Sequence, residues 1–306
     1  MAHRGFCLTF PCMATLCYAS NDDSKKQGGL RCMSNLFRPI QSPTLQSERQ
    51  HSGYSYREYA PSAFLAPHVA CYWTVDFDAR SGSQPHRIIP DGCVDIIVDR
   101  RASSASHAAF VTGLMTNCLV IDLASEQSSF GIRMYTESAR SILRVPVSAF
   151  ASERVYLYDM WGAEGLSLSE ELLYAKDVSQ LIELVEIQLS GLLSRLDVPM
   201  PGLLYNGLNY MYDYKGILSP AQLADKLGFS ERHLRRVFER EIGVGPKEML
   251  GIIRFQSMLR EIYGGAGARM SYADLAAKYG YYDQSHLIKT FKRYYGLPPG
   301  QVWAKE

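Results

Sequence analysis

The sequence predicts an α+β chain: a β-rich sandwich or barrel with flanking helices, followed by an all-α module of two helix-turn-helix units joined by a long linker helix. Three observations carry that prediction. Between Tyr54 and Tyr135, short runs rich in aromatic and β-branched residues are separated by Gly, Pro and Ser turns. Between Ser219 and Pro299, one pattern occurs twice. Charge divides along the same line: residues 216–306 carry 14 Lys and Arg against 9 Asp and Glu, and the rest of the chain carries 18 against 22.

A length of 306 residues accommodates two domains with separate cores. The formal net charge of +1 conceals a basic module suited to a polyanion and a slightly acidic module with another task. Seven cysteines, an odd and unpaired-looking set in a chain of this length, fit reduced thiols in a cytoplasmic protein better than a disulfide scaffold. No run approaches the about 20 apolar residues of a membrane span, so no membrane partner is expected.

The first 20 residues imitate a secretory signal, with a basic start and an apolar middle, but Pro11 interrupts the apolar run. Residues 1–52 are expected to be a disordered or mis-assigned extension and a polar arm, with Met33 as an alternative start. Cys7, Cys12 and Cys17 are evenly spaced but lack the Cys-x2-Cys pair of a structural metal site, and Cys32 stands apart, so no metal or other cofactor is expected.

Residues 53–198 form the expected front domain, and residues 199–306 the rear one. Strands are expected at Tyr54–Tyr59 and Val69–Phe77. Arg87–Ile89 and Val94–Val98 read as a hairpin or a sharp strand-turn-strand about Pro90-Asp91-Gly92. Shorter strands follow at Phe110-Val111, Leu119–Leu123 and Phe130–Tyr135. From Ala139 helices take over. Asp177 and Gln180 make a candidate capping box. After it Val178, Leu181, Ile182, Val185, Leu189, Leu192, Leu193 and Leu196 keep the spacing of one apolar stripe. That stripe packs within the fold or pairs across a homodimer. Asp197 to Gly202, with two prolines, marks a hinge.

The repeated unit is clearer. Ser219, Pro220 and Gln222 give an N-cap, a first-turn proline and a capping box, and Gly228 supplies the left-handed turn residue. Ser230 then caps a helix in which Leu234, Val237 and Phe238 face inward while Arg232, Arg235 and Arg236 face outward. Arginines so placed on the second helix of a helix-turn-helix reach guanine edges or phosphates of double-stranded DNA. Pro246 opens a long helix to about Tyr263. The second unit begins with Ser271 and Asp274, turns at Gly280, and presents Gln284, Ser285, His286 and Lys289 outward, with Lys292 and Arg293 extending a basic edge. His286 reads equally as a half-buried packing residue.

At these motifs the last third of the chain, residues 203–304, resembles the AraC/XylS family of bacterial transcription regulators. The resemblance implies that both recognition helices enter successive major-groove segments of promoter DNA, and RNA polymerase follows as a protein partner. Two departures stand out. Ile288 occupies an outward position usually polar, and Phe255-Gln256-Ser257-Met258 lacks the usual small alanine of the linker helix. The first departure makes the second unit look more like a phosphate clamp than a reader of bases.

Trp73, the run from Ile89 to Ile97 through Pro90-Asp91-Gly92-Cys93, and Phe130–Tyr135 are similar to an uncharacterised domain often fused to AraC-type C-termini. That resemblance implies a sensory or dimerising role and carries over no ligand. Pro90-Asp91-Gly92 reads most simply as a tight turn; the alternative, since buried polar groups mark pockets as well as turns, is that Trp73, Asp91, Cys93 and Asp95 are pocket residues for a small-molecule effector. Cys93 as a redox sensor requires exposure and a lowered pKa. No Ser/His/Asp array, phosphate-binding glycine loop or His-x-x-x-His pair points to an enzyme. Two other readings remain: a DNA-alkylation repair protein, which requires a zinc-bound cluster of four front-domain cysteines, and a ligand-free architectural DNA-binding protein.

Overall fold

The computed structural model describes residues 37–45, 53–150, 154–195, 202–265 and 270–302. The signal-like start, Cys7, Cys12, Cys17, Cys32, Met33, Leu196 and all of the expected hinge before Gly202 lie outside the described residues. Arg38–Glu306 forms one compact unit.

Among the described residues, eight strands build two antiparallel sheets: β1 (Tyr54–Tyr59), β2 (Val69–Phe77), β3 (Gln84–Ile88), β4 (Cys93–Asp99), β5 (Ala109–Thr112), β6 (Leu119–Leu123), β7 (Gln127–Tyr135) and β8 (Val155–Tyr156). The larger sheet has the order β1-β2-β7-β4-β5-β8, and β3 pairs only with β6 in a two-stranded sheet. The hairpin alternative for residues 87–98 is therefore corrected. β3 and β4 lie in different sheets, and Pro90-Asp91-Gly92 carries the chain from one to the other. Gly92 has φ +74, so the backbone calls for glycine, and a Cβ there would also press on Met249 Cε at 3.3 Å.

Period-two alternation gives the larger sheet two different faces. Tyr72, Val94, Ile96, Val98, Phe130, Ile132 and Met134 are buried. On this side lie α2 (Thr136–Leu143), α3 (Leu157–Trp161), α4 (Ala163–Tyr174) and α5 (Val178–Arg195). The Tyr72 hydroxyl donates to Glu186 of α5 at 2.8 Å. The apolar stripe of α5 is consumed inside the fold, with Leu181, Val185, Leu189 and Leu192 buried. The expected capping box forms half as drawn. Gln180 N donates to Asp177 Oδ1, but the Gln180 side chain accepts from Lys176 N, one residue earlier than the reciprocal bond requires.

The opposite face holds Cys71, Trp73, Val75 and Phe77 with Leu123 of β6, and a cavity opens there between the sheets. Gly131 makes room for it: a Cβ at that position would fall 1.9 Å from Trp73 Cε2, so the indole lies flat on β7 only because the residue beneath is glycine. The polar arm is drawn into the same region. Its one-turn helix α1 (Ser42–Leu45) follows Gln41, and both Gln41 and Ser42 are buried.

The rear of the chain is helical: α6 (Gly202–Asp213), α7 (Pro220–Leu227), α8 (Glu231–Ile242), α9 (Pro246–Tyr263), α10 (Tyr272–Lys278), α11 (Gln284–Tyr295) and α12 (Pro299–Val302). Both capping boxes form, Ser219 with Gln222 and Ser271 with Asp274. α9 is buried along most of its length. Ile252, Phe255, Met258, Leu259 and Ile262 join Leu287, Phe291 and Tyr295 in a cluster that also takes in Ile89 from the β region.

Candidate ligand cavity and nucleic-acid interface

The cavity between the sheets has a volume of about 610 Å³. Alternate residues of the larger sheet face it, so Cys93, Asp95, Ile97 and Asp99 of β4 and Trp73 and Val75 of β2 share the lining. β3 and β6 supply Ile88, Leu119 and Ile121, and the arm supplies Gln41. All four pocket residues expected from sequence, Trp73, Asp91, Cys93 and Asp95, line this one space.

Its polar end is built on Arg133, which sequence reasoning missed. The guanidinium lies 3.0 Å (Nε) from Asp91 Oδ2 and 3.7 Å (Nη1) from Glu58 Oε1, and Nη2 donates to Asp95 Oδ2 at 3.2 Å. A lone arginine within the apolar run Phe130–Tyr135 was the available signal, because a buried charge requires partners of opposite sign. Burial pushes the Asp95 carboxyl up to about 6 against the pull of Arg133. The Trp73 indole N–H is directed at that carboxyl without a hydrogen bond of ordinary geometry. Burial also pulls His86, bonded to the Tyr54 hydroxyl, down to about 4, so it lines the cavity uncharged.

Cys93 meets neither requirement of a redox sensor: it is buried, and burial raises its thiol well above the usual range. Cys71 is likewise pushed up to about 12. Cys71, Cys93 and Cys118 are free thiols, and no group of three or more His, Cys, Asp or Glu is placed to hold a metal ion among the described residues.

A chain of hydrogen bonds runs from the cavity to α9. Gln41 Nε2 donates to Asp91 Oδ2 at 2.8 Å and to Ile89 O at 2.9 Å, while Asp91 Oδ1 accepts from Cys93 N. Beside it, the fully buried Gln256 of α9 donates to Pro90 O at 2.8 Å and to Ile40 O, and accepts from Ile40 N. Within the run Phe255-Gln256-Ser257-Met258, noted as a departure in the linker helix, the Gln256 amide thus joins α9 to the arm and to the turn beside Asp91.

On α8, Arg232, Arg235 and Arg236 are exposed on the face away from buried Leu234, Val237 and Phe238. Arg235 pairs with Glu239 at 2.7 Å, and Arg236 lies 3.2 Å from His233 Nδ1. Glu241 turns inward instead, where Arg140 of α2 pairs with it. On α11, Gln284, Ser285, His286, Lys289 and Lys292 are exposed together. His286 is solvent-facing, not half-buried; its Nδ1 accepts from Tyr282 N and its ring meets Tyr281 edge-on. Two expectations change. Ile288 is not outward: it is half-buried against the α9–α11 core. Arg293 is exposed but engaged, donating to Glu248 at 2.7 Å, to Asn117 Oδ1 at 2.9 Å and to Thr116 O.

Comparison with known proteins adds two domain matches. Residues 57–156 match a domain of unknown function, DUF6597, and residues 223–305 match a helix-turn-helix domain. The chain is 26% identical over 160 residues to the "Probable thc operon regulatory protein" of Rhodococcus erythropolis, covering 46% of this chain and 48% of that protein. It is 32% identical over 83 residues to the multiple antibiotic resistance protein MarA of Escherichia coli, covering 27% of this chain and 62% of MarA. The chain therefore spans less than two thirds of either relative. A crystal structure of ToxT from Vibrio cholerae aligns with 72% of this chain and 95% of its own at 12% identity and a TM-score of 0.39.

Proposed function

We propose that this chain, which carries an AraC-type helix-turn-helix domain in its C-terminal part behind a DUF6597 domain, is a transcription regulator that binds promoter DNA and responds to a small molecule held between its two β-sheets. The carrying observation is the duplicated unit: two capped helix pairs whose second helices, α8 and α11, each bury an apolar side and expose a polar, largely basic one. In this reading Arg232, Arg235 and Arg236 reach bases or phosphates of the first major-groove segment. Gln284, Ser285, His286, Lys289 and Lys292 engage the second, and Arg293 borders it.

The effector site is the cavity lined by Trp73, Asp91, Cys93 and Asp95. Its link to the reading helices is the path from Asp91 through Gln41 and the Pro90 turn to Gln256 of α9. A domain boundary near residue 198, RNA polymerase as a partner, a homodimer on DNA, a cytoplasmic location and the absence of catalysis belong to the same proposal. No described helix is long and apolar enough to cross a membrane.

The test is genomic footprinting with tagged full-length protein, followed by titration of the recovered fragments. Enrichment at discrete promoters, lost with Arg235→Ala and Arg236→Ala together, is the expected result. Uniform occupancy without promoter preference favours the architectural reading instead. Stoichiometric zinc in the purified protein would favour the repair reading.

A further inference from the structure

We infer that the cavity takes an organic cation, an amine or quaternary ammonium on an apolar body, with its charged head beside Asp91 and Asp95; this rests on the cavity being the effector site. Three carboxylates, Glu58, Asp91 and Asp95, share the single guanidinium of Arg133. Of these three only Asp91 and Asp95 border the cavity, and beside Arg133 they leave one negative charge there unmatched among the described residues, since Gln41 contributes a hydrogen bond to Asp91 but no charge. Across the whole lining, four aspartates face two arginines, and His86 is neutral.

Accessibility decides which charge a ligand meets. The Arg133 side chain is 4% exposed, against 10% for Asp91 and 17% for Asp95. A ligand carboxylate would find the guanidinium enclosed by its own carboxylates and would meet their oxygens first. A ligand ammonium would meet those oxygens as acceptors. In surroundings of low polarity the sign of that encounter outweighs most other contacts. A cation beside Asp95 also favours the ionised carboxylate that burial alone disfavours.

The walls show why the cation is organic. Tyr56 and Trp73 stack with ring centroids 6.5 Å apart, and their ring systems border the same cavity as the carboxylates. Aromatic faces attract ammonium groups as well as apolar bodies. A volume of about 610 Å³ suits a drug-sized molecule, while none of the described His, Cys, Asp or Glu side chains are grouped to hold a bare metal ion.

The charge series phenylbutylammonium, phenylbutanol and phenylbutanoate holds the body constant and tests the sign directly on the full-length protein by calorimetric titration near neutral pH. The expected order is ammonium tightest, by at least about tenfold over the carboxylate, or about 1.4 kcal/mol. Asp95→Asn should bring ammonium and alcohol close together. The wild-type series needs no variant to fold, and Asp122→Asn, at an exposed position, serves as a second reduction of negative charge.

A carboxylate that ties with or beats the ammonium overturns the inference, as does an ammonium affinity weaker than about 1 mM or a preference unchanged by both substitutions. Promoter-fragment affinity measured with each compound separates this inference from the reading beneath it. If the alcohol or carboxylate binds best and shifts DNA affinity, the effector site stands and the cation falls. If the ammonium binds best and none of the three shifts DNA affinity, the cation site stands and the effector role falls.

Discussion

Asp95 and Gln256 show how single buried polar groups act in this fold. Asp95 faces Arg133 from β7, Asp91 from the turn, and Trp73 and Cys71 from β2. Its folded-state value of about 6 exceeds the ordinary 3.8, so proton binding favours the folded state. The stability this contributes is present below about pH 4 and is lost as pH rises through about 6. Asp95→Asn removes that loss and leaves Arg133 with two carboxylates. Its stability at neutral pH, followed by thermal melting, should equal or exceed that of the parent, by at most about 3 kcal/mol at 1.36 kcal/mol per unit, and the gap should close toward pH 4. A marked drop at neutral pH would show that the Arg133–Asp95 pair is net stabilising.

Gln256→Ala acts in the opposite direction. It orphans Pro90 O and the backbone groups of Ile40, so denaturant unfolding should show a loss of about 2–4 kcal/mol; a loss within experimental error would mean water replaces the amide. The sequence marked the run Phe255-Gln256-Ser257-Met258 as a departure but not the role of Gln256 within it, because the partners of that amide lie 166 and 216 residues away. Trp73, Asp91, Cys93 and Asp95 were named from sequence without their geometry, and the fold places all four on one cavity. Arg133 and Gln41 were not named: a lone arginine in an apolar run signals a buried charge but not which carboxylates meet it, and Gln41 carries no local signal.

The helices were the most legible elements because their signals are local. Capping residues, first-turn prolines and apolar spacing act within one or two turns, and α7, α8 and α9 begin and end, and α11 begins, within a residue or so of where those signals placed them. Strand positions were also readable from alternation, but strand partners were not: β3 with β6 and β4 with β7 join segments that only the tertiary fold brings together. The two candidate reading helices differ in how much of their polar face is uncommitted. Arg235→Ala and Arg236→Ala should each weaken promoter-fragment binding by about 1–3 kcal/mol or relax preference at one base pair. Lys292→Ala should lower affinity evenly across sequences and reduce the salt slope by about one. Arg293→Ala should change DNA affinity least, because its guanidinium is held by Glu248, Asn117 and Thr116. A loss at Arg293 as large as at Arg235, seen by fluorescence anisotropy, would mean that it exchanges these partners for phosphate.

Over the whole chain, each helix-turn-helix unit has its own attachments to the β region and its flanking helices. The first is held by Arg140 on Glu241, by Ser148 Oγ donating to Arg240 O, and by Tyr212 donating to Glu137 at 2.9 Å. The second is held at the C-terminal turn of α11, where Arg87 donates to Tyr295 O at 3.0 Å, Cys118 N donates to Arg293 O, and Arg87 stacks over the Tyr295 ring. β3 and β6, which carry Arg87 and border Cys118, also wall the cavity. A molecule that shifts this small sheet therefore acts on α11 directly, while α8 feels it only through α9 or the larger sheet. Arg87→Ala should separate the two attachments. Amide hydrogen exchange should quicken in the last turn of α11, whose carbonyls lose a donor, and stay unchanged in α8. If both helices quicken together, the two units open as one cooperative body, and the small sheet has no separate hold on the second.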